Sequence, residues 1–318
     1  MKSLMVMALA AMMLASPKTQ KNVIKDENPF IIDTDFDCDV DDIAAVRIAT
    51  QLDREGTIDL QGVMLCTKGS EKALHGLLSD DGYHNMKIGT SAVDFQGKST
   101  YWEVLEPFSQ TKMKAADAVR MYKYILYRCE NKVTIVTTGY LTNIEALLRD
   151  KDGFNLVKEK VKAIYITGGA GYDNNLSHLD HPYARQATRY VIDRCPCDLV
   201  FISGEVSNKF NCGGTIVKEF PGDIMAKAFV AYGNYWNQDM TLGRYAWDPF
   251  TVYVAAYGPE RTMTTLTDTT IVYNTKDGTA QYVDKKPYNA KYVDTIATNT
   301  AWYTQELDLI LVRRYLSE

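Results

Sequence analysis

The sequence predicts an α/β fold, an open and doubly wound, mostly parallel sheet with helices on both faces. Two observations carry this. Short β-rich apolar runs alternate with helical patterns from about residue 30 to 205, as consecutive βαβ units require. Several of those runs are apolar without polar alternation, which suits parallel strands covered on both sides.

Strands are predicted at Phe30–Asp33, Ile58–Cys66, Val133–Thr137, Ala163–Thr167 and Leu199–Ser203. Between them, apolar spacing predicts helices at Ile43–Leu52, Glu71–Leu78, Ala115–Arg128, Asn143–Leu148 and Pro182–Asp193. Beyond about residue 205 the pattern changes. Phe229–Trp236 and Pro249–Ala256 read as helices, and Thr300–Tyr315 as an amphipathic helix. Thr269–Tyr273 and Thr279–Val283 flank Lys276-Asp277-Gly278, which predicts an antiparallel pair around a turn. No linker or repeat interrupts the chain, so one domain is expected over residues 21–318.

With 46% apolar and 24% charged residues, the chain has ordinary globular usage and can bury a sizeable core. A net charge of −5 and the lack of any basic run argue against a nucleic-acid polymer as partner. The opening MKSLMVMALAAMMLASPKTQ has one Lys, an apolar stretch from Leu4 to Ala15 and then small residues. This predicts a secretory signal peptide over residues 1–20, with cleavage at or near Ala15 and a secreted or periplasmic product free of the membrane. The six cysteines permit disulfides in such a compartment, although a chain this long does not need them. Cys195-Pro196-Cys197 is too tightly spaced for a zinc knuckle, and most of the six are expected to be core thiols.

The most informative stretch is PFIIDTDFDCDVDDIAAV, where Asp33, Asp35, Asp37, Asp39, Asp41 and Asp42 fall between a strand and a helix. Carboxylates this dense repel one another, so the run either faces water or gathers around a cation. Its place at the carboxyl end of a strand favours the cation, since open α/β sheets bind ligands there. An EF-hand loop is excluded: counting from Asp33, Cys38 stands where Gly is needed and Ala44 where Glu is needed. The Asp-nucleophile phosphatase pattern fits Asp33-Thr34-Asp35 but then meets Asp37 in place of Thr or Val.

The arrangement strand–DTD–loop–DD–helix resembles the first signature of the inosine-uridine-preferring nucleoside hydrolases, in its longer form DTDxxxDVDD. Three further stretches follow in that family's order. Gly139-Tyr140-Leu141-Thr142-Asn143 resembles GPLTN, with Tyr140 replacing Pro. Thr167-Gly168-Gly169-Ala170, then Asp173-Asn174-Asn175 and Asp180-His181-Pro182, resemble its MGGA strand end, Glu-x-Asn pair and DPEAA helix start. Trp247-Asp248-Pro249 resembles its late HD or WD signature. Taken singly, the first and last of these three are also ordinary helix starts, with Thr142, Asn143 or Asp248 as the cap.

The resemblance implies Ca²⁺-dependent hydrolysis of the N-glycosidic bond of a nucleoside or related riboside. It implies that Asp35, Asp42 and Asp248 hold Ca²⁺ with the Thr142 carbonyl, and that Asp35 is also the general base. Asp41, Asn175 and Asp173 are implied sugar contacts, and Asp33 braces the loop. Asp37 and Asp39 are left as loop carboxylates facing water or backbone amides.

Two departures stand out. Trp247 occupies the position of the family's leaving-group His, so it is read as a stacking surface for the base, with Tyr172 and Tyr245 as similar candidates. His178 and His181 lie in the loop after Gly169, whereas His75 and His84 lie far upstream. Cys66-Thr67-Lys68 stands where the family has a Gly-Asn pair, leaving Thr67 as the candidate replacement contact. The alternative to a hydrolase is a sugar- or nucleoside-binding protein that keeps the metal site. A homo-oligomer is compatible with either.

Overall fold

A computed structural model describes residues 27–37, 39–91, 93, 97–109, 115–177 and 182–316, apart from the side chains of residues 172, 174, 175 and 182. The expected signal peptide, Cys38, His178, Asp180 and His181 lie outside the described residues.

In chain order the strands are β1 (Pro29–Thr34), β2 (Asp59–Leu65), β3 (Ile88–Thr90), β4 (Ala116–Asp117), β5 (Val133–Thr137), β6 (Val161–Thr167) and β7 (Gly171–Tyr172). They continue with β8 (Asp198–Ile202), β9 (Asn211–Cys212), β10 (Arg244–Tyr245), β11 (Thr265–Asn274), β12 (Thr279–Val283) and β13 (Ala290–Thr295). Among the described residues, eleven pair in one sheet, in the order β4-β3-β2-β1-β5-β6-β8-β13-β11-β12-β7. Pairing is parallel from β4 to β13 and antiparallel from β13 through β11 and β12 to β7. The predicted late hairpin is therefore present, docked on the end of the parallel sheet.

β1 shows why the sheet is covered twice. Every residue of Pro29–Thr34 is buried, and neighbours point to opposite faces. Phe30 and Ile32 enter a core with the helices Asp41–Arg54, Glu71–Asp80, Ile224–Trp236, Trp247–Arg261 and Ala301–Val312. Ile31 enters the other, with the helices Ala118–Arg128, Thr142–Arg149, Lys151–Lys160 and Pro182–Arg194. The fold class expected from the sequence is the one observed.

Strand order places the site. From β1 the chain winds outward through β2, β3 and β4, then returns to lay β5 on the other side of β1. The carboxyl ends of β1 and β5 thus flank a topological switch point, where loops diverge and leave a crevice. The aspartate run leaves β1 there, and Gly139–Asn143 leaves β5 there.

Some boundaries differ from the sequence reading. The stretch expected as one helix from Ala115 opens as β4, and its helix starts at Ala118, where Asp117 caps it by accepting the Arg120 amide at 2.9 Å. The last helix runs Ala301–Val312 and tightens to a 3₁₀ turn over Arg313–Tyr315. β13 and the helix Lys151–Lys160 were not expected.

The helix that carries Asp41 and Asp42 is anchored by a buried cation. Arg47, fully buried, lies 3.2 Å from Asp80, 2.9 Å from Asp81 and 3.1 Å from Asp223. Arg314 adds contacts of 2.6 Å to Asp80 and 3.0 Å to Asp81. The cluster ties this helix to Glu71–Asp80, Ile224–Trp236 and the C-terminal turn.

Candidate functional site

Three segments bring carboxylates together at the switch point. Asp33 and Asp35 come from the end of β1, Asp41 and Asp42 from the first turn of the following helix, and Asp248 from the first turn of Trp247–Arg261. Ligand oxygens of Asp41, Asp42 and Asp248 all lie within 4.8 Å of one another, and all three residues are buried. Asp35, also buried, contacts Asp42.

The loop between them is held by its own side chains. Phe36 adopts a positive φ of 46°, a conformation that disfavours a bulky side chain. Its amide donates to Thr34 Oγ1 at 3.1 Å and to Asp42 Oδ1 at 3.3 Å. The Thr34 hydroxyl donates to the same Asp42 oxygen, while the Phe36 carbonyl accepts the Trp102 indole N–H at 3.0 Å. The Phe36 ring is buried edge-on against Tyr101, with centroids 6.0 Å apart. The turn that a Gly would make freely is thus made by a phenylalanine that its packing holds in place.

Asp33 does not face the cluster's centre. It accepts the Tyr122 hydroxyl at 2.7 Å and the Asn143 side-chain amide at 3.1 Å. Asn143 also donates to the Leu65 carbonyl at 3.0 Å, so it ties β1, β2 and the loop after β5 together. Asp33 is thus bonded to Tyr122 and Asn143, two partners that the sequence reading did not name. The cap of the Thr142–Arg149 helix is Leu141, without a side-chain bond. Asn143 is engaged with Asp33 and is not a capping residue.

Gly139 is required by a close approach. A Cβ there would lie 2.5 Å from the Asp35 backbone nitrogen and 2.6 Å from Cys66 Sγ. Its neighbour Tyr140 donates its amide to Cys66 Sγ at 3.2 Å. The cysteine that replaces the expected Gly-Asn pair is thus packed under the loop. Next to it, the buried Thr67 hydroxyl donates to the Asp35 carbonyl at 2.5 Å, so Thr67 fixes the backbone of Asp35.

Thr142 opens its helix at this crevice, and its hydroxyl is buried without a partner among the described residues. Asp248 is likewise not a cap: Ala246 stands in that position, and the Asp248 amide donates to Asp41 Oδ2 at 3.2 Å. Asp37 accepts the Lys98 amide. Asp39 accepts the Val40 amide at 2.7 Å and receives Arg244, whose Nη2 lies 2.5 Å and Nε 3.0 Å from its two oxygens.

Of the two expected sugar contacts after β6, Asp173 has a described side chain. Asp173 accepts the Leu176 amide at 3.2 Å, which caps the short Asn174–Ser177 turn. The side chain of Asn175 lies outside the described residues. Trp247 donates its indole N–H to Asn208 at 2.6 Å, and Arg244 covers its ring at 4.6 Å. The exposed Tyr245 lies 5.2 Å from it, ring to ring. Arg244, which ties this aromatic rim to Asp39, was not singled out in the sequence. His75 is bound to Ser109 at 2.9 Å and to the His84 carbonyl at 3.2 Å, a structural role.

Electrostatics separate these carboxylates from ordinary surface acids. Burial, then the charge of Asp42, pushes Asp35 well above the usual range. Burial, then Asp39, does so for Asp41, and burial, then Asp41, for Asp248. Asp42 is raised to about 6 by burial, against the hydrogen bond from Thr34. Burial lifts Asp33 to about 7 although two donors favour its charged form. So many buried acids resist ionising together unless a cation joins them. Oxygens of one Ca²⁺ shell lie about 2.3–2.6 Å from the ion, hence at most about 5 Å apart, and the observed group satisfies that bound. The donors are hard oxygens, which suits Ca²⁺, Mg²⁺ or Mn²⁺ over softer metals.

No protein-family model matches the chain, and no curated protein does. Solved structures do. A plant nucleoside hydrolase superposes with a TM-score of 0.68 at 16% identity, over 89% of this chain and 98% of that one. The inosine-uridine-preferring nucleoside hydrolase of Bacillus anthracis gives 0.67 at 14% identity, over 90% and 99%. The type III effector XopQ, solved in complex with adenosine diphosphate ribose, gives 0.68 at 16% identity, over 98% and 99%. The chain has the fold of the nucleoside hydrolases.

Proposed function

We propose that the protein is a divalent-cation-dependent nucleosidase that splits the N-glycosidic bond of a ribonucleoside or related riboside into ribose and free base. The observation that carries this is the convergence of Asp35, Asp41, Asp42 and Asp248, all buried, at the switch point of the sheet. Ca²⁺ is the cation we assign, held by Asp42, Asp248, Asp35 and the Thr142 carbonyl. Since Asp41 belongs to the same oxygen group, it either shares the cation or turns toward a ribose hydroxyl beside it. Bound there, the cation compensates the carboxylates and polarises water and vicinal hydroxyls.

The chain's own groups then have distinct tasks. The Asp35 carboxylate takes the proton of the attacking water, and its backbone is fixed by Thr67 and by the close approach of Gly139. Asp41 orients a sugar hydroxyl, with Asn175 and Asp173 as further candidate contacts. As the glycosidic bond lengthens, positive charge grows on the sugar, and the surrounding carboxylates stabilise it. Trp247 and Tyr245 offer the departing base a stacking face.

A second reading rests on Trp247. Its N–H is already committed to Asn208, so it offers no acid to a departing base. With the effector that binds adenosine diphosphate ribose sharing the fold, a nucleoside- or ribosyl-nucleotide-binding protein with little turnover is the alternative. Reducing-sugar release from inosine, uridine and p-nitrophenyl riboside, with Ca²⁺ and with chelator, decides. Release that chelator abolishes supports the nucleosidase. Intact substrates, together with ligand-induced thermal stabilisation, select the binding protein.

We further infer that the protein works outside the cytoplasm, after removal of residues 1–20, as one domain from residue 21. Support comes from the apolar N-terminal stretch. Among the described residues no helix is long and apolar enough to cross a membrane.

A further inference from the structure

We propose that Cys195 and Cys197 form a redox-active dithiol that exchanges with low-molecular-weight disulfides and closes an intramolecular disulfide across Pro196. Their sulfurs lie 3.4 Å apart, and both residues are partly exposed. The other described cysteines, Cys66, Cys129 and Cys212, are buried in the core. Both flanks of the pair are fixed. The Cys195 amide donates to the Val191 carbonyl at 2.9 Å, at the end of the Pro182–Arg194 helix. Cys197 directly precedes β8, which is locked between β6 and β13. Pro196 restricts the backbone between them, so the thiols are held facing each other.

The pair lines a cavity of about 420 Å³, shared with Asp193, Asp268, Tyr288 and Lys291. This gives an incoming disulfide room to reach the sulfurs. The cavity lies at the amino end of β8, whereas the aspartate cluster lies at the carboxyl ends of the parallel strands. The two sites are therefore separate. The two sulfurs share a hydrogen bond that either can donate, and that bond lowers the Cys195 thiol below its ordinary value. That same bond, with burial, holds Cys197 protonated. The attacking and resolving roles follow from this asymmetry.

In the first step the Cys195 thiolate attacks one sulfur of the disulfide RSSR. The S–S bond breaks, a mixed disulfide forms on Cys195, and RS⁻ leaves to take a proton from solvent. In the second, Cys197 gives up its proton and its sulfur attacks Cys195 Sγ, expelling the second RS⁻. The protein loses two electrons and two protons, and RSSR becomes two RSH. A ring closed across one residue is strained and partly exposed, which makes the bond readily reversible by thiols.

The test uses the full chain, reduced, freed of reductant and treated with oxidised glutathione. We expect a mass decrease of two hydrogens and a linked Cys195–Cys197 peptide, both reversed by dithiothreitol. Cys197→Ser should stop at one glutathione adduct on Cys195, and Cys195→Ser should react roughly tenfold more slowly or worse. A rate of iodoacetamide labelling on the wild-type protein, with Cys195 modified before Cys197, gives the same order without a variant. No mass change, a disulfide to another cysteine, or first modification at Cys197 overturns the proposal.

Discussion

The side-chain amide of Asn143 donates to Asp33 at 3.1 Å and so joins the loop after β5 to the end of β1. Two stretches that look like separate motifs in the sequence are one hydrogen-bonded unit. Asn143 and Tyr122 together occupy both oxygens of a carboxylate that is only 1% exposed.

Removing either donor leaves Asp33 buried and half satisfied. We expect Asn143→Ala and Tyr122→Phe each to destabilise by about 1–3 kcal/mol. Asn143→Ala should be the worse of the two, because it also removes the tie to the Leu65 carbonyl at the end of β2. Urea denaturation with saturating Ca²⁺ measures both. Wild-type midpoints in both variants would mean that Asp33 is not held by these bonds.

Gly139→Ala tests the crowding above Asp35. The new methyl would meet backbone at 2.5 Å, and backbone cannot move aside as a flexible side chain does. Turnover should fall by about tenfold or more, since small misplacements of a reacting group are costly. A variant with wild-type kcat would show that the loop can shift without disturbing Asp35.

The Arg47 cluster lies away from the carboxylates that face the crevice, yet it fixes the helix that carries two of them. Arg47→Ala takes the buried cation away from Asp81 and Asp223 and leaves them only the part-exposed Arg314, at 3.0 and 3.9 Å. Loss of one member of such a cluster costs roughly 3–5 kcal/mol. The expected result is a large fall in denaturation midpoint, with Ca²⁺ affinity of the folded fraction little changed. Calorimetry and Ca²⁺ titration at low temperature separate the two.

Much of this arrangement was legible in the sequence because the signals were local. β5 is an unbroken β-branched run and appears with the expected bounds, Val133–Thr137, while β1 is marked by Phe30-Ile31-Ile32. The partnership of Asp42 with Asp248 came from the family resemblance and not from spacing. What escaped was either polar or distant. The helix Lys151–Lys160 is half charged and buries only Gly153 and Val157, so its apolar period is faint. β13 follows a hairpin yet inserts between β8 and β11, a choice made by tertiary pairing. Arg244 and Asp39 are 205 residues apart, and nothing in either neighbourhood announces the other.

Proton linkage gives the cluster a pH signature. Asp42 moves from an ordinary 3.8 to about 6 on folding, and Asp33 to about 7. Between those values and 3.8 the folded chain binds more protons than the unfolded one, so its stability falls as pH rises. The stabilising effect of protonation is fully present below about pH 4 and is lost through pH 6–7. For Asp42 alone it is on the order of 3 kcal/mol. With chelator, the melting temperature should therefore drop from pH 5 to pH 8, once other titrations are corrected with an Asp42→Asn control. On the proposed assignment Ca²⁺ is held by the ionised cluster, so its stabilisation should grow over the same range, reaching about 2.7 kcal/mol at a hundredfold excess over Kd. A Ca²⁺-induced shift that is the same at both pH values would remove the cluster as its binding site.

Asp35 and Asp248 can be told apart by what each loses. If Asp35 is the base, Asp35→Asn keeps an oxygen for the cation but cannot accept the proton of water. Its kcat should fall by about 10²–10⁴, while Ca²⁺ still raises the melting temperature. Asp248→Asn removes a charge from the oxygen group shared with Asp41 and Asp42. There the Ca²⁺-induced shift should shrink first, and part of the activity should return as Ca²⁺ is raised. Isothermal titration of Ca²⁺ alongside steady-state kinetics reads both effects. The assignment fails if Asp35→Asn loses Ca²⁺ binding but regains full kcat at high Ca²⁺, for then Asp35 is only a ligand and the base lies elsewhere. Asp41, whose carboxylate is pushed well up by burial and Asp39, is the group next placed to serve.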